Sequence, residues 1–113
     1  MPRVELLSVS VQTGAHALTA PVRLEFNGHV LPANTASGST GVGETYSASF
    51  APRSMAHSVR LMGPPEGRWA VTRCTVTIDT GIVPYTVEFE PFELGPKDAA
   101  SLWAEPPEPV FDV

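Results

Sequence analysis

The 113-residue chain contains one cysteine, Cys74, and one lysine, Lys97. A single cysteine cannot form an intramolecular disulfide. The six arginines form no basic cluster of the kind that binds nucleic acid or an anionic membrane. No apolar run reaches the roughly 18 residues of a spanning helix, and no signal-peptide pattern stands at the start. We therefore expect a soluble chain without nucleic-acid partners, either cytoplasmic or part of an assembled particle.

The helix-rich runs of Ala, Lys and Glu that mark bundles and coiled coils are also missing. Val and Thr are abundant instead, together with twelve prolines and nine glycines. Branched residues favour strands, whereas Pro and Gly interrupt them. The length suits one domain with one modest hydrophobic core.

Charge is unevenly divided along the chain. The net charge is −5, yet residues 1–78 carry six arginines and four glutamates, a net +2. Residues 79–113 carry eight acids and one lysine, a net −7, and half of the prolines fall from Pro84 onward. The composition therefore describes a near-neutral domain followed by an acidic, proline-rich extension.

Alternation of apolar and polar residues predicts six strands. They lie at 4–12, 22–27, 45–50, 57–62, 68–79 and 85–90. The apolar phase of the fifth strand shifts by one residue near Thr72–Arg73, which predicts either a β-bulge or a twist of the strand there. Short strands separated by turns, with no long helix between them, predict an all-β, two-sheet antiparallel β-sandwich.

The segments between and after these strands are less regular. Asn27-Gly28 and Asp79-Thr80-Gly81 have turn chemistry. The polar stretch 31–43 is either a mobile loop or one more strand. Pro96–Trp103 is the one helix candidate, since proline suits a first helical turn. We thus divide the chain into a sandwich at 1–95, a short helix at 96–103 and an arm at 104–113.

The arm reads AEPPEPVFDV, which is acidic and favours an extended, polyproline-like conformation. It is either a disordered tail or an ordered arm that lies on a protein surface. Its apolar residues, and those just before it, could pack on the sandwich or meet a partner. The residues that we expect to bind a partner are Leu102, Trp103, Val110, Phe111 and Val113.

No arrangement of residues predicts catalysis or a cofactor. His16, His29 and His57 lack the spacing of a zinc site, and no nucleophile elbow is present. Asp79 is the best single calcium candidate but has no obvious partner ligands. Cys74 is interpreted as a buried strand residue. We expect a protein that is not an enzyme and that has no catalytic residues, metal ligands or cofactors.

The order of several motifs is nevertheless specific. A first strand ends in Thr-Gly, as Val9–Gly14, and a V-x-L-x-x-x-G strand follows as Val22–Gly28. A Gly-rich turn then leads to Trp69, with Cys74 and Val76 five and seven positions later. An aromatic strand closes the series at Tyr85–Phe89.

In this order and spacing, residues 4–94 resemble a PLAT (polycystin, lipoxygenase, alpha-toxin) domain. The resemblance implies a β-sandwich and a non-enzymatic module that docks on protein or lipid. The family often has acidic residues where this chain has Leu18–Pro21 and Met62–Glu66, so calcium-dependent docking is not expected. The acidic charge favours a protein partner, with membrane docking left open by the resemblance alone. The alternative is a structural subunit of a large assembly, such as a virion decoration or tail protein.

Overall fold

The computed structural model describes residues 3–103, and every regular element in that range is a β-strand. All of the pairings are antiparallel. The strands are β1 (Arg3–Val4), β2 (Leu6–Thr13), β3 (Leu24–Phe26), β4 (His29–Leu31), β5 (Thr35–Gly38), β6 (Thr45–Phe50), β7 (Ser54–Met55), β8 (Val59–Met62), β9 (Trp69–Asp79), β10 (Tyr85–Phe89), β11 (Phe92–Leu94) and β12 (Ala99–Ser101). The structure is therefore all-β and of the β-sandwich type. Residues 3–103 contain no helix long and apolar enough to cross a membrane.

Two sheets enclose the hydrophobic core. The larger has the strand order β10-β9-β2-β6-β5, with β11 also paired to β9, and the smaller has the order β12-β8-β3-β4. β1 and β7 form a separate two-stranded ribbon. The larger sheet contributes Leu7, Val76 and Ile78 to the core, and the smaller contributes Leu24 and Leu61. One apolar face of each sheet is thereby removed from water, which is the main force that holds the two layers together.

The alternation of β2 confirms the period-2 prediction, because every second residue from Leu7 to Thr13 is buried. The predicted bulge is confirmed as well. Gln12 pairs with Arg73, whereas Thr13 pairs with Val71, so Thr72 has no opposite residue. The extra residue explains why the apolar phase of β9 changes at this point.

The polar stretch 31–43 contains the extra strand rather than only a loop. β5 pairs with β6 at the edge of the larger sheet, and all four of its residues are exposed. An edge strand with no side chain in the core carries no apolar alternation, which is why the pattern was ambiguous. The Asn27-Gly28 turn joins β3 to β4 with φ values of 52° and 85°, as a type I′ hairpin requires.

The predicted helix at 96–103 is wrong. Pro96 lies in a turn in which the Asp98 N–H donates to the Gly95 carbonyl at 3.1 Å, and Ala99–Ser101 forms β12, paired with β8. Proline suits the second position of such a turn as well as a first helical turn, because both need the same φ. Residues 96–103 thus complete the smaller sheet, whereas the arm at 104–113 lies outside the described residues.

Candidate interaction surfaces

One end of the sandwich, which we call the tryptophan end, is closed by a buried hydrogen bond. The indole N–H of Trp69 donates to Thr13 Oγ1 at 3.0 Å, and both side chains are buried. Thr13 is the one buried polar or charged residue within residues 3–103. A buried polar atom is tolerated when it has a partner, so this pair satisfies both groups without water.

Glycines fit closely around that pair. The Gly14 N–H donates to the Ala70 carbonyl at 2.8 Å, and a Cβ on Gly14 would lie 2.8 Å from Thr72 Cγ2. A Cβ on Gly63 would collide with the carbonyl oxygen of Gly95. The Thr-Gly and Trp motifs that carried the family resemblance therefore meet at one place, where their contacts are with each other and with the core.

The opposite end, which we call the hairpin end, exposes aliphatic side chains. Ile82 and Val83 lie side by side in the β9–β10 turn and are 82% and 79% exposed. The turn is held by Asp79 Oδ1, which accepts the Gly81 N–H at 2.8 Å, and Gly81 has a φ of +86°. An Asx turn followed by a proline restricts this backbone, so the two side chains are presented on a short, stiff tip.

Two further apolar residues lie at the same end. Leu6 pairs with Asp79 at the base of the hairpin, and Met55 pairs with Arg3 in the neighbouring ribbon. Both side chains are exposed. The Asn27 amide donates to the Met55 carbonyl at 2.7 Å, which ties the ribbon to the smaller sheet. The hairpin end therefore combines exposed apolar side chains with a fixed backbone.

The structure separates the residues that the sequence proposed for partner binding. Leu102 is fully buried, and its N–H donates to the Val59 carbonyl at 2.8 Å, so its side chain belongs to the core and not to the surface. Trp103 is partly buried and packs against the core. Val110, Phe111 and Val113 lie outside the described residues. The chain stays extended after β12, so side chains continue to alternate and that of Leu102 points into the core. The predicted helix would have placed it differently.

The outer face of the larger sheet is covered by hydroxyl groups, and we call it the hydroxyl face. Register places two rows of five residues across β10, β9, β2, β6 and β5, and nine of the ten are Ser or Thr. The first row is Thr86, Thr77, Ser8, Ser49 and Thr35; the second is Glu88, Thr75, Ser10, Ser47 and Ser37.

Neighbouring strands share hydroxyl contacts along these rows. Thr35 and Ser49 are joined at 2.6 Å between their hydroxyl oxygens, and Thr77 and Thr86 at 3.0 Å. The short serines leave a shallow depression of about 310 Å³ in the middle of the face. Such cross-strand pairs stabilise the sheet by a few tenths of a kcal/mol each, roughly, and they leave the remaining lone pairs free to bind other groups.

Two observations bear on the chemistry of the described side chains. Burial raises the pKa of the Cys74 thiol to about 12, so at neutral pH the thiol stays protonated. Within residues 3–103, no three His, Cys, Asp or Glu side chains are grouped so as to hold a metal ion. Beside the hydroxyl rows, Arg73 and Glu88 form an ion pair at 3.3 Å, and both side chains are well exposed.

No family model, no curated protein and no solved structure matches the chain. The surfaces must therefore be judged on their own chemistry. The sequence analysis did not identify the hairpin end or the hydroxyl face as candidate surfaces. The signal for the hairpin end is Gly-Ile-Val-Pro directly after a turn. The signal for the hydroxyl face is the Ser-x-Ser and Thr-x-Thr repeats at the polar positions of three strands.

Proposed function

We propose that this chain is a non-enzymatic, PLAT-like β-sandwich module that docks on the surface of a partner protein. The observation that carries the proposal is the exposed Ile82–Val83 pair on its fixed turn. Burial of both side chains in an apolar pocket of a partner would contribute about 3–5 kcal/mol before association costs. A turn held by the Asp79–Gly81 hydrogen bond has less conformational entropy to lose on docking than a free loop, which lowers one part of the association cost.

Charge indicates the kind of protein. The chain carries a net −5, and Asp79 lies at the base of the hairpin, whereas Glu88 and Glu93 are paired with arginines. A partner with a basic rim around its apolar pocket would be attracted at long range, and added salt would slow its association. We keep Trp103, Val110, Phe111 and Val113 as further proposed contacts with the partner protein.

Site-specific photocrosslinking tests the proposal. A benzophenone amino acid is placed at Ile82 of the full chain, and at Val30 on the smaller sheet as the matched control, in the cells from which the chain derives. We expect one discrete adduct from position 82 and none from position 30. Unlabelled protein should compete for that adduct, whereas the double variant Ile82→Ser, Val83→Ser should not. Equal adducts from both positions would contradict docking through the hairpin end.

Lipid docking, which the family resemblance also implies, is separated by vesicle flotation. Phosphatidylcholine–phosphatidylserine vesicles are mixed with the chain, with and without calcium. We expect no flotation in either case, because no basic cluster accompanies the apolar tip. Flotation that depends on Ile82 would replace the protein partner with a membrane.

The second candidate is a structural subunit of a large assembly, and the hydroxyl face favours it because small uncharged side chains suit close subunit contact. Truncation after Trp103 helps to separate the two roles. If the chain is a docking module, the shortened protein should keep its fold, since β12 ends at Ser101, and should bind the crosslinked partner more weakly.

A further inference from the structure

We infer that the hydroxyl face is a self-association surface whose occupant is a second copy of this chain. The inference stands apart from the hairpin end, because it depends on a different face and a different kind of contact. It starts from the relief of the two hydroxyl rows and from their single charged residue, Glu88, which is paired with Arg73.

The relief of the face is self-complementary. Ser8, Ser10, Ser47 and Ser49 form a trough along the two strands β2 and β6. Thr75 and Thr77 of β9 line one side of the same depression as a low ridge, since each carries a methyl group that serine lacks. A two-fold axis between trough and ridge lets the threonines of each copy fill the trough of the other, which is how an isologous interface is built.

Hydrogen bonding suits the same arrangement. Every hydroxyl both donates and accepts, so a hydroxyl surface meets a copy of itself without unmatched donors or acceptors. Ser and Thr also have few rotamers to lose on burial compared with the long side chains that usually cover exposed sheets. Desolvation of a neutral hydroxyl that regains a partner costs far less than desolvation of a charge.

Charge favours this face over others for a copy of a net −5 chain. Its two rows contain one acid, Glu88, and this carboxylate is paired with Arg73. Two copies that meet here bring no excess of negative charge together.

The area of the face limits how tightly two copies can bind each other. Five strands about 4.8 Å apart and six residues with a rise of about 3.4 Å give a footprint of about 24 by 20 Å. Two such footprints bury on the order of 1,000 Å², the lower limit of a specific interface. We therefore expect a weak, concentration-dependent dimer with a micromolar rather than nanomolar dissociation constant.

Sedimentation velocity of the full chain over a wide concentration range tests the inference. We expect the weight-average mass to rise from that of one 12.0 kDa chain toward twice that value. Ser10→Arg in the trough should raise the dimer dissociation constant at least about tenfold, since an unpaired charge is then buried. Ser101→Arg on the exposed edge of the smaller sheet adds the same charge and should leave the constant unchanged.

Circular dichroism and urea unfolding show whether Ser10→Arg still folds; if it does not, Thr75→Lys on the ridge replaces it.

A monomer at every concentration would overturn the inference, as would equal weakening by the two arginine variants. Loss of the dimer in Ile82→Ser, Val83→Ser but not in Ser10→Arg would place the contact at the hairpin end instead. If the wild type stays monomeric and Ser10→Arg abolishes the adduct from position 82, the face belongs to the partner protein and the inference is again wrong. A monomer that keeps its adduct leaves the docking proposal intact.

Discussion

The two ends of this sandwich are built in opposite ways. At the tryptophan end, Trp69 and Thr13 are buried and satisfy each other, and glycines fit where no side chain has room. At the hairpin end, Ile82 and Val83 lie almost fully in water, although the turn beneath them is fixed. Apolar side chains are hidden at one end and displayed at the other.

This difference separates stability from recognition. Packing and buried hydrogen bonds at the tryptophan end contribute to the free energy of unfolding. Exposed side chains at the hairpin end contribute almost nothing to it, because they are equally hydrated in the unfolded chain. Substitutions at the first end should therefore destabilise the protein, whereas substitutions at the second should affect only binding.

The largest expected effect is at Gly63. In Gly63→Ala the new methyl group meets the Gly95 carbonyl, which is backbone and cannot move aside, and the Gly63 N–H bond to the Asp98 carbonyl is strained as well. We expect a loss of about 3 kcal/mol in the free energy of unfolding, measured by urea denaturation.

Gly41→Ala is the matched control for this prediction. A Cβ at Gly41 would have its nearest neighbours at 3.4 Å, in the range of a tight but tolerable contact. It should change stability by less than about 0.5 kcal/mol. If Gly63→Ala also stays within that margin, the tryptophan end is not tightly packed and the contrast between the ends is lost.

A smaller loss should follow from Thr13→Val. The change preserves the volume of the side chain but leaves the Trp69 indole N–H buried without an acceptor. We expect a cost of about 1–3 kcal/mol, again by urea denaturation. Thr19→Val, at an exposed loop position, makes the same chemical change without burial and should be nearly neutral. Similar values for both variants would show that the indole finds another acceptor.

The strands that line the core could be predicted from the sequence, because their side chains point alternately into the apolar core and toward solvent. β2, β6 and β9 show that alternation. The change in its phase within β9 also predicts the bulge at Thr72. β5 and β12 could not be predicted in the same way. The first is fully exposed, and Ala99–Ser101 favours helix locally until pairing with β8 decides otherwise.

The candidate surfaces were less predictable than the fold, since exposure depends on the third dimension. Leu102 and Ile82 are both branched aliphatics beside turns or strand ends, yet one is fully buried and the other fully presented. The hydroxyl rows are polar positions of separate strands, and only the register brings them to one face. Period 2 predicts which residues face outward, but not which strands stand side by side.

Cys74 lies in the middle of β9, between the two ends. Its burial in the core should make the free energy of unfolding depend on pH in the alkaline range. Its folded pKa of about 12 lies above the ordinary value of 9.0. The thiol is neutral in both states below pH 8, whereas above pH 9 the unfolded chain loses its proton first. The contribution of the neutral, buried thiol to the free energy of unfolding is thus complete below pH 9. It declines between pH 9 and 12, by up to about 1.4 kcal/mol per pH unit.

Cys74→Ala isolates this effect from other groups that titrate at high pH. The variant should be less stable than the wild type at pH 8, by about 1–2 kcal/mol for the lost packing. Its deficit should shrink by about 1 kcal/mol between pH 8 and pH 10, because the variant has no thiol to ionise. A constant deficit in urea titrations at the two pH values would mean that the thiol is reached by water in the folded state.

The smallest effect on stability, and the sharpest contrast with Gly63, is expected at the hairpin tip. Ile82→Ser with Val83→Ser removes two side chains that have few folded-state contacts, and the Asp79–Gly81 turn beneath them is kept. The free energy of unfolding should stay within about 0.5 kcal/mol of the wild type, while the crosslinked adduct of the docking experiment is lost. A destabilisation as large as that of Thr13→Val would show that these side chains pack on the fold, and the hairpin end would then be a second structural end rather than a surface for a partner.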